Sequence, residues 1–346
     1  MCRFPNYMCF VGQYTKEGKP DYRFIGHHEY DMLIKTYGFI PYVQVPCGKC
    51  IECRIQYSRQ WADRCVLEAQ QYKHNYFVTL TYDDNFLPDR NSLKPKDLQD
   101  FLKRLRFKLD KKFPGLKMRF FASGEYGDTS WRPHYHLILF NCPLDDLTYQ
   151  FERRELVKEE IIFKKQGKIK FKREFGPWLK YNLEGNKKDM MFSKFIYEAW
   201  QYRGNISVQQ FDYANASYVA QYVMKKIDGN NADLYQELKI VPEFLRMSNR
   251  PGIGANYFKQ HPDALDAKLI IPANGHAHLS NAPRYFDKLF IQLYGEDVFI
   301  PYQIKRFRKK IVREQTYLKD GSRNYDREAE IRDYNFKKNK ILRDAI

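Results

Sequence analysis

Apolar positions along this chain follow two rhythms, and the switches between them outline a mixed fold. Ser58 to Tyr72 repeats Trp61, Cys65, Ala69 and Tyr72 at helical spacing. Lys94 to Lys112 does so more strongly, through Leu98, Phe101, Leu102, Leu105 and Leu109, with basic residues on its other face. Between them Tyr76-Phe77-Val78-Thr79-Leu80-Thr81-Tyr82 is dense in aromatic and β-branched residues and predicts a buried strand, closed by the Asp83-Asp84-Asn85 turn. Lys117 to Ser123 predicts a second strand. Gly124-Glu125-Tyr126-Gly127 and the turn Asp128-Thr129-Ser130 lead from it into a third, Trp131 to Phe140, so the two form a hairpin. Phe192 to Gln201 returns to helix, Gly204 to Phe211 alternates as a strand, and Ala214 to Ile227 predicts a further helix. Residues 141 to about 190 are charged, Lys-rich and less periodic, as in a surface insertion.

These elements predict an α+β fold, a central antiparallel sheet with helices packed over it. Three regions follow: an irregular, Cys-rich segment over 1–56, the core over 57–228, and a basic accessory region over 229–346. In the last, Arg246-Met247-Ser248-Asn249-Arg250-Pro251-Gly252-Ile253-Gly254 predicts a loop that either grips phosphates or is a plain surface turn. The run Lys305 to Arg313, basic with no acidic residue, fits sequence-independent DNA affinity or a solvated helix face.

Charge narrows the partner. The formal net charge of +17 is spread along the chain and interleaved with Tyr and Phe, which stack on bases; a nucleic acid fits better than no charged partner at all. No apolar run approaches the roughly 18 residues of a membrane span, and Met1-Cys2-Arg3-Phe4-Pro5 does not begin a secretory signal. In that setting the spacing Cys47-Gly48-Lys49-Cys50-Ile51-Glu52-Cys53 argues for thiolates on metal rather than disulfides. Cys47, Cys50 and Cys53 with Cys2 as fourth ligand would close a structural Zn²⁺ tetrahedron. Cys9, His27 and His28 are alternative fourth ligands, and three reduced thiols are the other reading.

The chemistry centres on Arg132-Pro133-His134-Tyr135-His136. In a strand successive side chains alternate faces, so His134 and His136 point one way and Tyr135 the other. Glu125, on the partner strand of the hairpin, is placed to join both histidines on one divalent ion, and imidazole with carboxylate suits Mn²⁺ or Mg²⁺. Taken alone, the pattern also fits a hydrogen-bonded pair of strand histidines. Tyr218 and Tyr222 stand one helical turn apart, with Lys225 and Lys226 a turn further on. A phenol with a pKa near ~10 is a poor nucleophile until an ammonium or a metal-polarised phosphate assists it; the same spacing also fits two core tyrosines. Arg132, Lys226, Arg246 and Arg250 are further candidate DNA contacts.

The order Phe77-Val78-Thr79-Leu80-Thr81-Tyr82, then Arg132-Pro133-His134-Tyr135-His136, then the Tyr218/Tyr222 helix resembles the motif order of HUH endonucleases. Pro46 to Arg54, Gly124-Glu125-Tyr126-Gly127 and Met247 to Gly254 are more narrowly similar to replication initiator proteins of microviruses, the gokushovirus-like branch above all. The resemblance covers about residues 2 to 260. It implies a phage-encoded rolling-circle initiator acting in the host bacterial cytoplasm. Such an enzyme nicks origin DNA through a tyrosine, stays joined to the 5′ phosphate, and rejoins the displaced strand into a circle.

Carried onto this chain, His134, His136 and Glu125 hold Mg²⁺ or Mn²⁺, and Tyr218 and Tyr222 alternate as nucleophiles. Lys225 fills the family's Tyr-x-x-Lys slot after Tyr222. The slot after Tyr218 holds Gln221, so the two tyrosines are not equivalent. The phosphotyrosine conserves bond energy, and no G-x-x-x-x-G-K-[ST] loop is present; no nucleotide cofactor is implied, while a host helicase and polymerase are. The competing readings are a zinc-stabilised, non-catalytic DNA-binding protein and a transposase or relaxase with the same nuclease core.

Overall fold

The five-stranded antiparallel sheet at the centre of the computed structural model is built from the strands the apolar pattern outlines, plus one it does not. The structure describes residues 6–14, 20–25, 29, 32, 35, 42–127, 130–165, 168–182, 190–225 and 232–306. Lys226 and most of the tail from residue 303 onward therefore lie outside the described residues, as do Cys2, His27 and His28. The chain divides into two compact units, Met1–Gln56 with Arg284–Ile346, and Tyr57–Pro283. In the first, β1 (Asn6–Tyr14) pairs antiparallel with β2 (Pro20–Ile25) and β3 (Tyr42–Val45).

In the second unit the sheet follows α1 (Ile51–Ala69), β4 (Asn75–Thr81), α2 (Pro95–Lys112), and the hairpin β5 (Arg119–Tyr126) and β6 (Pro133–Phe140). The insertion holds β7 (Leu147–Thr148), β8 (Gln150–Arg153), β9 (Leu156–Lys165), β10 (Lys168–Phe175) and β11 (Leu179–Asn182). After it come β12 (Phe192–Ser193), α3 (Lys194–Ala199), β13 (Ile206–Gln210) and α4 (Tyr213–Lys225). The chain then runs through α5 (Ala232–Glu237), β14 (Phe244–Met247), α6 (Ala255–Gln260), β15 (Lys268–Ala273) and β16 (His276–Asn281). Strand order in the sheet is β13-β4-β6-β5-β14.

Alternation gives this sheet two dissimilar faces. One buries Val78, Leu80, Ala122, Tyr135, Leu137 and Leu139 against Leu98, Phe101, Leu102, Leu105 and Leu109 of α2. Each of those helix side chains contributes roughly 1.5–3 kcal/mol by leaving water. Tyr135 is fixed there: its hydroxyl donates to Lys94 O at 3.0 Å, accepts from Lys94 N at 3.1 Å and meets the Tyr82 hydroxyl at 2.9 Å. The other face buries Phe77, Phe121, Ile138 and Phe140 under Ala62, Cys65 and Ala69 of α1 and Ala216, Val219 and Ala220 of α4. Burial pushes the Cys142 thiol up to about 12 and the Cys65 thiol higher still, as expected of core cysteines.

Three boundaries differ from the sequence reading. β5 continues past Ser123 through Gly124-Glu125-Tyr126, because this glycine is a packing requirement and not a breaker. A Cβ on Gly124 would lie 2.8 Å from the ring of Phe244. Phe244 belongs to β14, which pairs with β5 and carries the core unit past residue 228; a strand of four residues is too short to show alternation. α1 begins at Ile51 rather than Ser58. The insertion is largely strand, with Phe151 and Phe192 buried; ribbons polar on both faces carry no period-two signal.

The loop after β14 is held from beneath. Arg119 Nη2 donates to the carbonyls of Pro251 (2.8 Å) and Gly252 (3.0 Å), and Arg64 Nε to that of Ile253 (3.0 Å). Glu68, fully buried, pairs with Arg119 and accepts from Gly254 N at 2.7 Å. Ile253 is thereby pressed among the residues that seat α4. Glu68→Ala would leave the Arg119 charge unpaired in the interior. It is expected to lower unfolding free energy by about 3–5 kcal/mol, read by a denaturant titration.

Candidate active site

β5 and β6 place Glu125 directly opposite His134 and Ser123 directly opposite His136, so all four lie on the α4 face of the sheet. The ligand atoms of Glu125, His134 and His136 lie within 4.8 Å of one another. His134 Nε2 is 2.7 Å from Glu125 Oε1, and His136 Nε2 contacts the same oxygen. The helix brings a phenol to them. Ala216, Val219 and Ala220 let α4 lie close on the sheet, and Tyr218, 40% exposed, directs its hydroxyl inward. That hydroxyl donates to Glu125 Oε1 at 3.2 Å and lies 3.5 Å from His136 Nε2.

Two groups that sequence reasoning assigned no role orient His136. Thr79 Oγ1 lies 3.0 Å from its Nδ1, and the Phe77 ring stacks on it, 5.4 Å between centroids and 7° between planes. The signal was present: alternation puts Phe77, Thr79 and Thr81 on one face, and β4 pairs Thr79 with His136. Thr79 fixes the tautomer when Nδ1–H donates to its oxygen, leaving the Nε2 lone pair for a cation. Thr79→Val is therefore expected to weaken Mn²⁺ binding by roughly 10–100-fold with the fold intact, measured by calorimetry.

The electrostatics call for a positive ion. His134 Nδ1 faces the Arg132 carbonyl at 3.1 Å, so its Nε2 meets the carboxylate only with a second proton or a metal between them. Burial alone would raise the Glu125 carboxyl, but hydrogen bonds to His134 and His136, and their charge, hold it down at about 2. Burial likewise opposes charge on His134, yet the hydrogen bond and charge of Glu125 prevail and raise its pKa. At His136 burial prevails over Glu125, and the pKa falls. Two buried oxygens on this face, Glu125 Oε2 and Ser123 Oγ, have no hydrogen-bond partner among the described residues. Nitrogen and oxygen donors with spare buried oxygens fit Mg²⁺ or Mn²⁺.

The remaining sequence candidates are placed as follows. Tyr222 lies one turn beyond Tyr218 on α4 and Lys225 is its last residue; their side chains lie outside the described residues. Arg132 ties the strand ends together, with Nη1 2.6 Å from Asp84 Oδ1 and Nη2 donating to Tyr82 O at 3.0 Å. Its carbonyl, rather than its charge, serves the triad. Arg246 pairs with Ala122 and therefore lies on the opposite face of the sheet from the triad, its guanidinium 5.3 Å from the Phe244 ring centroid. Arg250 is exposed in the loop held by Arg119.

In the other unit, Cys47 Sγ and Cys53 Sγ are 4.0 Å apart and Cys50 N donates to Cys47 Sγ at 3.4 Å. Zn–S bonds of about 2.3 Å in a tetrahedron set sulfurs about 3.8 Å apart, so the three thiols fit zinc. The side chain of Cys9 lies outside the described residues.

The sequence model of the replication-associated protein ORF2 family matches residues 75–227, the stretch from β4 to the end of α4. The replication-associated protein ORF2 of Spiroplasma virus 4 is 32% identical over 291 residues, 81% of this chain and 78% of that protein. The chain belongs to the phage replication-associated protein family. Further members are replication-associated protein VP4 of Bdellovibrio phage phiMH2K, 29% identical over 80% of this chain and 76% of that one, and ORF4 of Chlamydia phage 1, 29% identical over 79% and 58%. No solved structure matches the chain. As in the sequence reading, no helix among the described residues is long and apolar enough to cross a membrane.

Proposed function

We propose that this phage replication-associated protein is a rolling-circle initiator, a metal-dependent HUH endonuclease that nicks single-stranded origin DNA through tyrosine. The observation that carries the reading is the approach of the Tyr218 hydroxyl to Glu125 Oε1 at 3.2 Å, inside a Glu-His-His cluster and at an exposed helix position. Glu125, His134 and His136 would hold Mg²⁺ or Mn²⁺, which when bound polarises the scissile phosphate. Glu125 Oε1 accepts the phenolic hydrogen bond and so orients Tyr218 Oη toward the same point.

Attack by Oη forms the tyrosyl–phosphorus bond and breaks the bond from phosphorus to the 3′ oxygen. The phenol loses one proton, and the departing 3′ oxygen gains one. Reversal of this exchange by an incoming 3′ hydroxyl rejoins the strand, with Tyr222 serving a second cut and Lys225 supplying positive charge beside it. Arg132, Lys226, Arg246 and Arg250 remain proposed DNA contacts, of which Arg246 would act from the other sheet face. Host helicase and polymerase, in the host cytoplasm, would complete the cycle. In the first unit, Cys47, Cys50 and Cys53 would hold a structural Zn²⁺ with Cys2 as fourth ligand.

The test is a single-stranded oligonucleotide spanning the phage origin, incubated with the purified protein and Mn²⁺. A protein–DNA adduct that survives denaturing electrophoresis, and that EDTA prevents, is the expected result. Its absence with both Mn²⁺ and Mg²⁺ would favour a DNA-binding role without catalysis.

A further inference from the structure

Between β6 and α3 the chain builds an antiparallel ribbon, β9 and β10, that the nicking chemistry does not use. At its base the charges are matched. Lys158 Nζ lies 2.6 Å from Glu160 Oε1, Lys172 Nζ lies 3.9 Å from Glu174 Oε1, and Arg173 pairs with Glu159. Toward the tip the pattern changes. Lys164, Lys165, Lys168 and Lys170 fall between Ile161 and Phe171 with no acidic residue among them.

The register sets Lys168 against Lys165, Ile169 against Lys164 and Lys170 against Phe163, so no carboxylate stands across from any of the four. Like charges directly opposed weaken a strand pair, a cost that an anionic partner removes. The base of the ribbon is also near the triad's end of the sheet. The Arg173 guanidinium lies 5.1 Å from the centroid of the Phe86 ring, and Phe86 follows closely on Asp84, which holds Arg132 beside His134. From Arg173 to Lys168 a rise of about 3.4 Å per residue carries the ribbon roughly 17 Å, about five nucleotide steps of a duplex.

We propose that the tip of this ribbon binds the phosphate backbone of the DNA flanking the nick, through Lys164, Lys165, Lys168 and Lys170. The inference rests on the reading of the triad and Tyr218 as the nicking site. Four lysines each neutralising one phosphate add about 3.6 to the slope of log affinity against log salt on duplex, and about 2.8 on a single strand.

The experiment compares full-length wild type with the combined variant Lys164→Gln, Lys165→Gln, Lys168→Gln, Lys170→Gln. Affinity is titrated against salt on an origin duplex and on a single strand extending beyond the nick. A control, Lys158→Gln with Glu174→Gln, removes charges matched within the base and should keep both slopes. A fall of about 3 or more on the duplex alone assigns the tip to duplex flanks; a fall of about 2–3 on the single strand alone assigns it to single-stranded flanks. Unchanged slopes on both would overturn the proposal. Adduct formation on a short oligonucleotide covering only the nick should keep its wild-type rate in the lysine variant, which shows that variant to be folded. If wild type itself makes no adduct, the nicking reading fails, and the slopes still decide whether the ribbon binds DNA.

Discussion

Replacing Tyr218 and Tyr222 together by phenylalanine is expected to abolish adduct formation on a single-stranded origin oligonucleotide, while Mn²⁺ binding remains. Phenylalanine keeps the ring contacts that Tyr218 makes, edge-on to His136 at 5.0 Å and to Phe77 at 6.3 Å, and removes only the oxygen. The helix also stays seated, because Ala216, Val219 and Ala220 provide its buried side. Loss of activity therefore reports loss of the nucleophile. Tyr218→Phe alone is expected to slow the first cut by on the order of a thousandfold or more, since its hydroxyl is the one that reaches Glu125 and His136. Tyr222→Phe should spare the first cut and impair rejoining. Single-turnover rates on a labelled oligonucleotide separate these outcomes.

The second large effect concerns the ion. Glu125→Ala is expected to lower Mn²⁺ affinity by more than about a hundredfold, beyond the loss expected for Thr79→Val, because it removes a ligand rather than the group that orients one. Glu125 Oε1 is the atom on which His134, His136 and Tyr218 converge, and its Oε2 is a second buried oxygen without a partner among the described residues. His136→Ala should produce a comparable loss. Calorimetric titration with Mn²⁺ reads both, and circular dichroism checks that the sheet persists. Retained affinity in either variant would place the ion elsewhere.

Much of this site was legible in the chain itself. Strand alternation predicts that His134 and His136 share a face and that Tyr135 leaves it, and hairpin geometry brings Glu125 opposite. Tyr218 was legible as a nucleophile only because other motifs accompanied it; helical spacing alone fits a core tyrosine equally well. What the pattern did not reveal depends on long-range packing. No local signal marks Gly124 as the seat of the Phe244 ring, or Glu68 and Arg119 as the pair that fixes the loop around Ile253. The ribbon escaped for another reason: polar residues on both faces erase the period-two signal while the backbone still pairs. Thr79 and Phe77 were read as strand formers, and their roles beside His136 emerge only once the register is known.

The most direct test is to map the covalent bond. Wild-type protein incubated with origin oligonucleotide and Mn²⁺ is digested with nuclease and protease, and the peptide carrying nucleotide is sequenced by mass spectrometry. The account predicts a 5′-phosphotyrosyl nucleotide on Tyr218, with Tyr222 modified in the Tyr218→Phe variant. Attachment to any residue outside α4, or cleaved DNA with no attached peptide, would contradict it.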